Sequence, residues 1–147
     1  MRGEIRTAAA LLSFLLFVAC SREPGSGPAG VKWDRDVCER CSMVISDRAF
    51  AAQVRDSDGR VHRFDDPGCA ALWLGEHGEQ VAREIWVREL VGDDWLDARE
   101  AYFVRVDNSP MGYGHGAQRA PSQEALDFAQ LRQAIRTLED ERRSSDR

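Results

Sequence analysis

The sequence predicts an α+β fold of two small strand-strand-helix units, set behind a signal peptide and a flexible tether. Three observations predict it. Two short apolar-rich stretches, 50–55 and 61–64, flank Asp58-Gly59, a dipeptide that favours the tight turn of a hairpin. Asp66-Pro67 then opens a run with helical spacing. The order strand, strand, helix recurs between Ile85 and Leu138, although no residues visibly match between the halves.

The chain begins with Arg2 and Arg6, followed by an apolar run from Ala8 to Ala19 broken only by Ser13. A membrane-spanning helix needs about 20 apolar residues, so this run is too short to be one and fits the core of a secretory signal. It ends in Leu16-Phe17-Val18-Ala19-Cys20, which resembles the lipobox of bacterial lipoproteins. The expected product starts at a lipidated Cys20, anchored to a bacterial membrane and facing the periplasm or cell exterior. Each acyl methylene buried there contributes about 0.8 kcal/mol. The alternative is an ordinary signal peptide cleaved nearby. Residues 21–30 are all small, polar or helix-breaking and read as a tether. The expected divisions are therefore a signal peptide at 1–19, lipidated cysteine and tether at 20–33, a domain at 34–141, and a charged, disordered tail at 142–147.

The first unit is the hairpin of 50–55 and 61–64 with a helix capped by Asp66 and ended by His77-Gly78. Cys69 falls near the start of that helix, on the face of Leu72 and Trp73. The second unit takes 85–91 and 102–106 as strands, 107–121 as a loop, and a helix capped by Ser122. Ala125, Phe128, Ile135 and Leu138 form its apolar stripe. The four tryptophans are expected in the core.

A formal charge of −5 excludes the electrostatic footprint of a nucleic-acid binder. The cysteines are more informative. With Cys20 taken by lipid, Cys38, Cys41 and Cys69 remain, and an odd number of thiols cannot all pair within one exported chain. At least one must stay free, bind metal or pair outside.

Cys38-Glu39-Arg40-Cys41-Ser42-Met43 puts three sulfur donors within six residues. In an extended chain Cys41 and Met43 would project from the same face. Thiolate with thioether selects Cu(I), whereas zinc prefers thiolate, imidazole and carboxylate. Two other readings stand beside this one: a thiol-disulfide pair formed by Cys38 and Cys41, and a structural zinc module recruiting Cys69. Met43 can also be plain core, since Val44 and Ile45 follow it. Met111 and His115 lie in a glycine-rich loop able to fold over a site; His62 and His77 read as exposed or packed.

The lipobox, Cys38-x-x-Cys41-x-Met43-x-Ile45, Phe64-Asp65-Asp66-x-x-Cys69 and Ser109-Pro110-Met111-Gly112 with Ala125 and Phe128 together resemble the NosL family of nitrous-oxide-reductase accessory lipoproteins. The resemblance runs from about Asp34 to Phe128. It implies two small strand-strand-helix units and a Cu(I)-binding metallochaperone without catalytic turnover. The implied partner is a copper-receiving enzyme, nitrous oxide reductase, or another copper carrier. By position it implies Cys41 and Met43 as primary ligands and Met111 as a further one. Cys38 and Cys69 belong to a variant with extra cysteines.

Overall fold

The computed structural model describes residues 25–147; the expected signal peptide, the expected lipidation site Cys20 and the start of the expected tether lie outside them. The architecture is α+β. Its elements run β1 (Ala52–Asp56), β2 (Val61–Phe64), α1 (Pro67–His77), β3 (Ala82–Arg88), β4 (Trp95–Asp97), β5 (Tyr102–Arg105), β6 (His115–Gln118) and α2 (Phe128–Ser145). An antiparallel sheet has the order β2-β1-β3-β4, and β5-β6 form a separate pair. Two strand-strand-helix units are present, β1-β2-α1 and β5-β6-α2, with the β3-β4 hairpin extending the first sheet.

The first unit forms where its local chemistry places it. Gly59 takes the positive φ of 83° that the turn between β1 and β2 requires. Asp66 caps α1 by accepting from Gly68 N at 2.8 Å, Pro67 fills the first helical position, and Gly78 closes the helix. Nearly the whole of α1 up to Leu74 is buried.

The second unit departs from expectation in three places. The strand expected at 85–91 is β3, which pairs with β1 and not with 102–106. The partner of 102–105 is β6, inside the stretch expected to be loop. His-Gly-Ala-Gln carries no β-branched residue and so no strand signal. What selects it is close approach: a Cβ on Gly116 would stand 2.7 Å from Leu90 Cδ1. The helix cap is Asp127, not Ser122. Asp127 and Gln130 exchange both bonds of a capping box, at 2.8 and 2.9 Å, whereas Ser122 is followed at the matching position by Ala125, which has no side-chain acceptor. Leu126 is held extended by reciprocal 2.8 Å backbone bonds to Phe103, so the helix cannot start earlier.

Both ends of the domain are better anchored than their compositions imply. From Gly27 the expected tether lies on the sheet: the Gln53 carboxamide makes two 2.8 Å bonds with the backbone of Ala29, and Glu84 accepts from Gly27 N. The polar face of β1 is thereby buried. At the other end α2 continues through Ser145, four residues into the expected tail, because Arg142 donates to the carbonyls of Met111 and Gly112 and lies 5.0 Å from the Tyr113 ring centroid.

The core lies between the four-stranded sheet and α1, with α2 packed on α1. It includes Phe64, Leu74, Ile85, Phe103, Leu131 and Ile135, each at 1% exposure or less. Full burial of side chains of this size contributes about 1.5–3 kcal/mol apiece. Of the four tryptophans only Trp73 is fully buried; Trp33, Trp86 and Trp95 are half-buried. Among the described residues no helix is long and apolar enough to cross a membrane.

Candidate metal centre

Two polar segments meet beside the edge of β2. The first is the turn 38–43. Val37 pairs with Val44, Cys38 N donates to Met43 O at 2.8 Å, and Ser42 N donates to Cys38 O at 2.9 Å. Ser42 adopts φ 64°, the left-handed region. The chain between Cys41 and Met43 is therefore turned and not extended, which corrects the shared-face expectation. Glu39 N bonds to Arg63 O at 2.9 Å and fixes this turn to β2. The second segment is the passage from β2 into α1, Asp65 to Cys69.

These segments bring three thiols and a carboxylate together. The Sγ atoms of Cys38, Cys41 and Cys69 and a carboxylate oxygen of Asp65 all lie within 4.8 Å of one another. Cys38, Cys69 and Asp65 are buried, and Cys41 is half-exposed. Zinc–sulfur bonds of about 2.3 Å give tetrahedral sulfur–sulfur separations near 3.8 Å. A contraction of about 1 Å or less would close the group around an ion.

The protons in the cluster are unequally held. The thiol of Cys69 donates to Cys38, and this bond, opposed by burial and helped by the backbone of Cys41 and Asp65, brings the Cys38 pKa down to about 7. Cys41 is pushed up to about 12, chiefly by burial. Its thiol points at Asp65, 3.4 Å from both carboxylate oxygens. Cys69 is raised, first by donating to Cys38 and then by burial. One thiolate thus forms near neutral pH while its neighbours stay protonated until a metal displaces their protons.

The methionines occupy the surroundings. Met43 is 48% exposed and lines a cleft of about 410 Å³ with Val44, Asp65, Ser109 and Pro110. Met111 is half-buried against the core; its N–H donates to Asp66 Oδ2 at 3.2 Å, which ties the glycine-rich loop to the start of the cysteine-bearing helix. His115 is buried, with Nδ1 2.8 Å from Tyr113 O. His62 is buried with its ring nitrogens 2.8 Å and 3.0 Å from the carboxylates of Glu39 and Asp56, so both are occupied. His77 stacks on Trp73 at 4.2 Å between centroids.

Asp65 is the member of the cluster that the sequence reading did not single out. Its signal was Asp65-Asp66 directly after a strand: one aspartate suffices to cap the helix, which leaves the other for a different task. Arg40, between the two loop cysteines, anchors the turn from behind through Glu76, Glu139 and the Tyr113 hydroxyl.

No family profile and no curated protein matches this sequence. One solved structure shares the fold. It is the crystal structure of the copper chaperone NosL from Shewanella denitrificans, with a TM-score of 0.56 and 17% identity over 65% of this chain and 81% of that one. At this identity the likeness is one of fold, a NosL-like arrangement, and the chemistry of the present chain rests on its own donors.

Proposed function

We propose that this protein is a membrane-anchored Cu(I) metallochaperone that takes and passes on copper by ligand exchange. The observation that carries the reading is the cluster of three sulfurs and Asp65, with half-exposed Met43 lining the same cleft as Asp65. Soft Cu(I) prefers such donors over carboxylate or amide. The partial exposure of Cys41 and Met43 suits transfer, because an incoming sulfur can bond the ion before the last outgoing one leaves. A sealed site would hold copper without exchanging it. The shared fold of a copper chaperone supports the same reading.

The recipient we propose is nitrous oxide reductase, on the family resemblance of the motifs, and the anchor is Cys20, on the sequence pattern alone. The role is carriage and involves no catalytic turnover.

Asp65 favours one second reading. Three thiolates and a carboxylate also make a tetrahedral zinc set, and a structural zinc site would lock the turn to α1. Anaerobic titration of the reduced protein against a chromophoric Cu(I) chelator, with zinc as competitor, separates the two. The copper reading expects one Cu(I) per chain, undisturbed by zinc and weakened at least tenfold in Cys41→Ser. Preferential zinc binding, with unfolding on chelation, would transfer the site to the structural reading.

A further inference from the structure

The copper reading leaves unexplained why an exported chain would keep three thiols in contact where oxidants abound. We infer that Cys41 and Cys38 form a disulfide-exchange site that takes a protein or small-molecule dithiol/disulfide as substrate, and that its disulfide state closes the copper site. The inference rests on the metallochaperone reading for its consequence but not for its chemistry.

Access and geometry assign the roles. Among the three thiols only Cys41 is reached from solvent; Cys38 and Cys69 are 1% and 0% exposed. An incoming group must therefore react first at Cys41. Its resolving partner must lie close and present a sulfur lone pair. Both other sulfurs are within 4.8 Å. The Ser42 N to Cys38 O bond makes 38–41 a single helical-type turn. Positions three apart in such a turn have Cβ atoms about 5–6 Å apart, from which a small closure reaches disulfide geometry. Cys69 sits in the first turn of a buried helix whose cap is bonded on both carboxylate oxygens, and it has less freedom to move.

The step balances as follows. Cys41 Sγ passes its proton to the Asp65 carboxylate that it faces at 3.4 Å and displaces one sulfur of an incoming disulfide, giving a mixed disulfide; the departing sulfur takes up that proton and leaves as the first thiol. Cys38 Sγ then attacks Cys41 Sγ, the bond to the incoming group breaks, and the second thiol leaves. The two cysteines lose two electrons and two protons, and the incoming disulfide gains both. A dithiol reductant runs the reverse, entering again at exposed Cys41. In the disulfide form two of three thiolate donors are gone, and Cys69 with Asp65 cannot hold Cu(I). Bound copper in turn occupies Cys41 and blocks entry.

The test uses the full-length chain in detergent, treated with glutathione disulfide and then freed of it. Free thiols are blocked and the chain is cut with trypsin. Cleavage after Arg40 separates Cys38 from Cys41, so only a disulfide holds peptides 36–40 and 41–48 together. The expected result is that linked pair in wild type and in Cys69→Ser, its absence in Cys38→Ser, and loss of the Cu(I) equivalent on oxidation with recovery after a dithiol. Linkage through Cys69, no linkage, or unchanged copper binding by the oxidised protein would overturn the inference. If the reduced protein binds no copper while the linked pair still forms, the metallochaperone reading fails and the gate falls with it. The peptide map and the copper titration report these failures separately.

Discussion

Gly68→Ala should loosen the scaffold that holds the site, although alanine is the better helix former. Gly68 lies in the first turn of α1, beside Cys69. A Cβ there would stand 2.6 Å from Tyr113 Cγ and 2.9 Å from Tyr113 Cβ, against a comfortable carbon–carbon contact of about 3.5–4 Å. Tyr113 cannot swing away at low cost. It is 3% exposed, and its hydroxyl bonds Arg40 at 3.3 Å and Glu139 at 3.2 Å. Overpacking of this kind costs about 1–3 kcal/mol. Disturbing the hydroxyl's bonds adds about 0.5–1.5 kcal/mol each. The helix-propensity gain of about 1 kcal/mol offsets only part of this. A net loss of about 2 kcal/mol is expected, which at a urea slope near 2 kcal/mol/M moves the unfolding midpoint down by about 1 M. The assay is equilibrium urea unfolding of the reduced, metal-free protein, followed by tryptophan fluorescence. An unchanged or raised midpoint would refute the reasoning. It would mean that Tyr113 is not wedged on Gly68, and that Arg40 does not depend on it.

Three further outcomes are expected. Gln53→Ala removes both bonds to Ala29, so it should cost about 1–3 kcal/mol and make 25–33 sensitive to limited proteolysis; a segment as protected as in wild type would show that Gln53 is not what holds it. In the metal-free protein Cys38, lowered from 9.0 to about 7, contributes stability at pH 9 that is lost as pH falls through 7, while Cys41, raised to about 12, contributes stability present below 9 and lost above it. Stability should therefore peak near pH 9, with slopes of at most roughly 1.4 kcal/mol per pH unit per proton, and Cys38→Ser should flatten the acid side; urea midpoints across pH read both. Met43→Ala should leave the midpoint within about 0.5 kcal/mol of wild type, because the side chain is half-exposed, while lowering Cu(I) affinity in chelator competition.

What was legible in the sequence follows from where local chemistry suffices. The β1-β2 turn, the Asp66-Pro67 helix start and the Gly78 stop each depend on one or two residues with a fixed backbone preference, and they stand where their residues put them. β6 was hidden because Gly116 and Ala117 are selected by the approach of Leu90 and not by strand propensity. The true cap of α2 lost to Ser122 because the extended pairing of Phe103 with Leu126 is a long-range constraint. The anchoring of Gly27 and Ala29 was hidden for the same reason: their bonds to Glu84 and Gln53 are long-range and leave no local signal. At the site, the spacing of Cys38 and Cys41 and the start of α1 beside Cys69 were readable, but their convergence is tertiary. Asp65 joined the cluster unannounced, since an aspartate beside a helix cap reads as another cap.

The central claim is that sulfur from this cluster holds a single Cu(I), and X-ray absorption at the copper edge of the loaded protein tests it most directly. The expected spectrum is that of Cu(I) in an all-sulfur shell of two or three donors, with one sulfur lost in Cys41→Ser. A shell of oxygen and nitrogen, or a wild-type spectrum unchanged by that substitution, would contradict the account and place the copper elsewhere on the chain.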